Sequence, residues 1–105
     1  MALTAPFSET IERRIKRDPA FREGILQDGL EAMWRGEVDL GKALLRHYIH
    51  ATGGFEKLAK GTGLPPTSLH RMFGPKGNPT IKNLASVVSH WQKKNKVKLR
   101  VIATR

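Results

Sequence analysis

The stretch Phe55-Glu56-Lys57-Leu58-Ala59-Lys60-Gly61-Thr62-Gly63-Leu64-Pro65-Pro66-Thr67-Ser68-Leu69-His70-Arg71-Met72-Phe73-Gly74 decides the fold. Its punctuation predicts two short helical pieces, about 55–61 and 66–73, separated by Thr62-Gly63-Leu64-Pro65. Leu58 falls where the first piece must point into the junction, and Ala59 where the second must cross close above it. Gly63 stands where a tight turn needs a left-handed backbone, which glycine adopts without steric cost. Leu64 is placed to plug the angle between the pieces, while Leu69 and Met72 anchor the second one to a core. These six positions together have the spacing of a helix-turn-helix, more agreement than a chance apolar pattern supplies.

In that register Pro66, Thr67, Ser68, His70 and Arg71 face away from the core. The N-terminal part of such a second helix lies in the major groove of duplex DNA. Arg71 is the leading candidate for a base contact, because a guanidinium can donate two bonds to guanine O6 and N7. Thr67 and Ser68 can donate to phosphates or base edges, the helix start itself favours phosphate, and His70 suits either role. Lys57, Lys60, Lys76 and Lys82 flank this helix as candidate phosphate clamps, although each alone reads equally well as a surface lysine.

Charge supports a polyanion partner. The chain has 105 residues and a formal net charge of +10. Residues 1–56 contain eight Lys/Arg and all nine Asp/Glu; residues 57–105 contain eleven Lys/Arg and no acid. Solubility would explain a positive total but not an acid-free half, whereas nucleic-acid binding explains both. Single-stranded RNA readers display aromatics on a sheet, and this half has only Phe73 and Trp91, both on faces predicted to be buried.

Outward from the central stretch, the pattern predicts an all-α single domain: N-terminal helices in 1–52, a helix-turn-helix core in 53–94 and a strand or tail in 95–105. Ser8 is placed to cap a helix running to about Arg17, with Ile11 and Ile15 on one face. Asp18-Pro19 starts a second, extending to about Arg35, with a buried stripe of Leu26, Leu30 and Met33 beside Ile25 and Trp34. Asp39 can cap a third, roughly 40–51, and Gly53-Gly54 ends it. After the loop Gly74–Pro79, Thr80 opens a helix to about Lys94 with Ile81, Leu84, Val88 and Trp91 on one face. Trp34 and Trp91 are both expected in the core or in a dimer contact. From Lys96 to Val101 basic and apolar residues alternate, predicting a short C-terminal β-strand. With no partner strand in the chain, it must pair with a second copy or lie frayed.

Several chemistries lack their residues. No cysteine is present, and His47 and His50 at i,i+3 have no acid or thiol nearby in sequence to complete a zinc set. Gly41-Lys42 and Lys76-Gly77 are not phosphate-binding loops of the Gly-x4-Gly-Lys-Ser/Thr kind. No nucleophile–base constellation is visible, so neither an enzyme nor a cofactor or metal is expected. The start, Met1 to Pro6, is neither basic nor apolar enough for a leader, and no run approaches the ~20 apolar residues of a membrane span. A cytoplasmic protein, nucleoid-associated when bound to DNA, is the simplest expectation.

Leu58-Ala59, Gly63-Leu64 and Leu69, followed by Gly77-Asn78-Pro79-Thr80 and Leu84, resemble the lambda-repressor/Cro (Xre) helix-turn-helix family. With Leu44-Leu45-Arg46 and Arg71-Met72-Phe73-Gly74, the chain looks more narrowly like the HigA-like antidote proteins of toxin–antitoxin modules, over roughly residues 20–102. The resemblance implies a homodimer that represses its own operon at an inverted-repeat operator and neutralises a small RNA-cleaving toxin, here expected to be a basic protein. A stand-alone regulator, or a toxin-covering module with only generic DNA affinity, remains open. Pro65-Pro66 stiffens the approach to the second helix, and the N-terminal helical region is longer than a minimal Xre domain. That extra length serves either as toxin-binding surface or as core cover.

Overall fold

The computed structural model describes residues 5–105; the stretch 1–4, where the absence of a leader was read, lies outside them. Six helices follow in order: α1 Ala5–Arg17, α2 Pro19–Trp34, α3 Val38–Ala51, α4 Gly54–Thr62, α5 Pro66–Met72 and α6 Ile81–Asn95. The fold is all-α, as the periodicities require.

Asp18 and Pro19 start α2 as expected. The Asp18 carboxylate accepts the Phe21 N–H at 3.1 Å, removing one of the unpaired donors of the first turn. Arg22 then reaches back to the end of α1, donating to the carbonyls of Ile15 and Lys16 at 3.1 and 3.3 Å. The Arg14 guanidinium lies 4.3 Å over the Phe21 ring, closing the corner from the other side. Ser8 does not cap α1: the helix begins upstream of it at Ala5. Likewise α3 begins at Val38, leaving Asp39 in its first turn instead of at the cap.

Helices α2 and α3 approach closely because glycines face each other. A Cβ on Gly41 would meet the Gly29 carbonyl at 2.7 Å and Met33 Cγ at 2.6 Å, so the crossing admits no side chain there. The core then runs from Ile15 of α1 through Leu26, Leu30, Leu45 and Ile49 to Leu58, Leu69, Phe73, Leu84, Val87 and Trp91. Tyr48 meets Trp91 edge-on, with ring centroids 5.0 Å apart.

Three expectations fail, two of them on burial. Ile81 is 80 % exposed, because the first turn of α6 projects beyond its partners and Val87 takes the buried place beside Leu84. Trp34, the last residue of α2, is 58 % exposed, so of its two expected places the core is ruled out. The C-terminal strand is absent: no strand occurs among the described residues. Instead Lys96 turns through the left-handed region (φ 56°), and the Leu99 N–H donates to Gln92 Oε1 at 2.8 Å, laying the tail back along α6. Alternation alone does not make a strand, because ladder hydrogen bonds need a second strand. No helix among the described residues is long and apolar enough to cross a membrane.

Candidate nucleic-acid interface

The junction of α4 and α5 is built as its sequence predicts. Gly63 is left-handed (φ 78°), and its N–H donates to the Ala59 carbonyl at 2.8 Å, ending α4. Thr62, unremarked in the sequence, ties the turn: its hydroxyl donates to the Leu58 carbonyl at 2.8 Å and accepts the Leu64 N–H at 3.2 Å. Leu58, Leu69 and Met72 are buried, and Leu64 and Ala59 pack half-buried against them. These contacts pack α5 against α4.

On α5, Pro66, Thr67 and Arg71 are exposed and Ser68 is half-exposed. His70 is exposed too, but its ring is stacked on Phe55 with centroids 4.0 Å apart, and His50 lies T-shaped to Phe55 with centroids 5.5 Å apart. His70 is therefore oriented by an aromatic shelf on α4. Lys60, Lys76 and Lys82 are exposed. Lys57 is placed differently: it points toward α6 and shares a cleft with Lys94, so it does not sit with the residues that α5 presents.

What holds α5 and its following loop was missed in the sequence. Lys42, only 2 % exposed, sends its Nζ across the core to donate to the carbonyls of Gly74 (3.0 Å) and Gly77 (2.6 Å). Arg46, one turn along α3, donates to the Phe73 carbonyl at the C-cap of α5. These side chains satisfy carbonyls that the helix end leaves unpaired, as cations near a helix C-terminus do. Asp39 lies 3.6 Å from Lys42 Nζ but is 93 % exposed, so it contributes little to holding that charge. A signal existed: Lys42 shares the i, i+3, i+7 stripe of Leu45 and Ile49, a lysine on a buried face.

Gly77 completes the arrangement. A Cβ there would overlap the Arg71 carbonyl and lie 3.1 Å from Arg71 Cγ. The loop thus folds tightly beneath Arg71 and supports the stem of the side chain that sequence reasoning ranks first for base contact.

Among the described residues no three His, Cys, Asp or Glu side chains are grouped to hold an ion. His47 Nδ1 instead pairs with Glu12 Oε2 at 2.9 Å, linking α3 to α1. His90 abuts Gly61 where α6 passes α4. Burial first, and then the Lys94 charge, lower its pKa below the ordinary histidine value. The unfolded chain therefore binds a proton at a higher pH than the native state does. Stability should fall as pH drops from 7.5 through the unfolded value of about 6.5 toward the native one. In urea titrations at pH 7.5 and 5.0, H90Q should lose less stability between the two than the unsubstituted chain; an equal loss would assign the pH dependence elsewhere.

Neither the models of known protein families, nor the curated proteins, nor the solved structures give a match to this chain.

Proposed function

We propose that this protein is a sequence-specific DNA-binding transcriptional repressor that acts as a homodimer on an inverted-repeat operator. The observation that carries the reading is the braced α4–α5 unit. It combines a left-handed glycine turn, an outward row of Pro66, Thr67, Ser68 and Arg71, and a loop drawn under Arg71 by Lys42. A short outward helix that follows a glycine turn and is tied at its C-terminal end by Arg46 and Lys42 suits insertion into a major groove, where a small displacement forfeits base contacts. The surrounding half of the sequence, with eleven basic residues and no acidic one after Glu56, supplies the phosphate attraction.

Two such helices in one dimer would enter successive major grooves about 34 Å apart. Selection of the purified protein against a randomised duplex library at two salt concentrations should enrich a palindrome that persists at the higher salt. Arg71→Ala should cost roughly 1–3 kcal/mol, or about 5- to 150-fold in affinity, and relax selectivity at one base position per half-site. Unchanged binding by Arg71→Ala on the selected site would reject the register.

A second role, as the antidote of a toxin–antitoxin pair, draws support from the N-terminal layer. All nine acidic residues fall in its half of the chain, and Trp34 and Val38 stand exposed at the α2–α3 corner beside Glu37 and Asp39. Glu37 is paired there with Arg35 at 2.8 Å while Asp39 is 93 % exposed, so the corner offers an apolar anchor with one open carboxylate to a basic protein partner. Co-purification with the product of a small adjacent open reading frame, abolished by Trp34→Ala, tests it. Without such a partner the chain reads as a stand-alone regulator.

A further inference from the structure

A cleft of ≈ 450 Å³ opens on the α6 side of α4, away from the α4–α5 turn. It is lined by Lys16 of α1, Arg22 of α2, Lys57 of α4 and Lys94 of α6, over a floor of Tyr48, Trp91 and Asn95. Four cations from four separate helices converge on one concavity whose lining includes no carboxylate. None of the four is in an ion pair among the described residues. Glu23 lines the adjoining recess with Lys98 instead.

Chance surface lysines spread apart to lower their mutual repulsion. Here the fold holds them together: the Lys57 stem lies against Gly53, and two hydrogen bonds to α1 carbonyls fix Arg22. Burial first, and then the neighbouring Lys57 and Arg22 cations, lower the Lys94 pKa below the ordinary lysine value. Polar atoms complete the floor, where Asn95 Nδ2 donates to the Tyr48 hydroxyl at 2.9 Å. The Tyr48 pKa is raised, mainly by burial, so its hydroxyl stays protonated.

We propose that this cleft is a binding site for a phosphate-bearing anion, with Lys16, Arg22, Lys57 and Lys94 as its charged ligands. Several phosphate groups are needed to neutralise four cations at once, and the volume admits a compact oligophosphate. The same chemistry is offered by a free oligophosphate and by the phosphodiester backbone of a nucleic acid, and the two sources are separable by experiment. The site does not use the residues that α5 presents, so it stands apart from base reading.

The test is thermal unfolding with inorganic tripolyphosphate at millimolar concentration, against chloride at equal ionic strength. Three chains are compared: unsubstituted, K57M/K94M, and K93M/R100M, which removes the same charge from exposed positions outside the cleft. The unsubstituted chain and K93M/R100M should gain about 5 °C in Tm. K57M/K94M should gain under about a fifth of that, while melting without the anion at or above the unsubstituted Tm, since two repelling charges are gone. Equal gains in all three would mean that tripolyphosphate sees only overall charge, and would overturn the proposal, as would no gain in any. Duplex DNA titrations then identify the source. Competition by tripolyphosphate, with a loss of about tenfold in K57M/K94M on every sequence, assigns the cleft to the phosphodiester backbone. Simultaneous binding with unchanged DNA affinity assigns it to a free oligophosphate. The melting arm reads the cleft whether or not the chain binds DNA.

Discussion

Lys42→Ala should lower folding stability by roughly 2–4 kcal/mol, read as a fall in the urea midpoint at constant slope. The Lys42 ammonium makes two charge-assisted hydrogen bonds, to the Gly74 and Gly77 carbonyls, and its stem fills core volume beside Leu45. Alanine removes both bonds and leaves a cavity where the lysine stem was buried, and each loss is costly. Lys42→Met separates the two effects, since it restores the stem without a donor. It should recover part of the stability while leaving the loop untied. Hydrogen exchange should then show faster opening of 74–79 than in the unsubstituted chain, and DNA affinity should drop even where the protein remains folded. A Lys42→Met chain as stable and as protected as the original would mean that the carbonyls need no cation.

Gly77→Ala should cost about 3 kcal/mol and act on binding out of proportion to its size. The added methyl group would overlap backbone, the Arg71 carbonyl, which cannot swing away as a side-chain tip would. Relief requires the loop to move off α5, pulling its carbonyls from Lys42 and removing the support under the Arg71 stem. Contrast is offered by Gly24, where a Cβ would meet nothing within 4 Å in a helix interior. Gly24→Ala should leave stability unchanged or raise it by about 1 kcal/mol. The pair can be compared by calorimetry and by titration with the selected duplex. Equal melting temperatures for the two variants would contradict the close approach at Gly77.

These two results bear on what was readable from residue order. The α4–α5 unit was legible nearly residue by residue, because its determinants are local. Gly63 is left-handed in a short turn, and Leu58 and Leu69 are buried with Ala59 and Leu64 packed against them, at the spacing that faces inward. Asp18-Pro19 likewise marks a helix start through groups three residues apart. Ser8 and Asp39 misled because a capping side chain permits a start without compelling one, and α1 and α3 extend upstream of them. Ile81 and Trp34 misled because periodicity tells which residues share a face but not where along its length a helix loses its neighbours.

Local chemistry thus set the helices, the glycine turn, the outward row of α5 and the acid-free basic half, since each depends on residues within a few positions of one another. Long-range packing alone set the rest. Lys42 meets Gly77 across 35 positions, Glu12 meets His47 across 35, and four cations from α1, α2, α4 and α6 close on one cleft. The tail stayed out of β-structure for the same reason. A strand is completed only by hydrogen bonds to another strand, and the chain, folded, offers the Val97 and Leu99 N–H groups Gln92 of α6 instead.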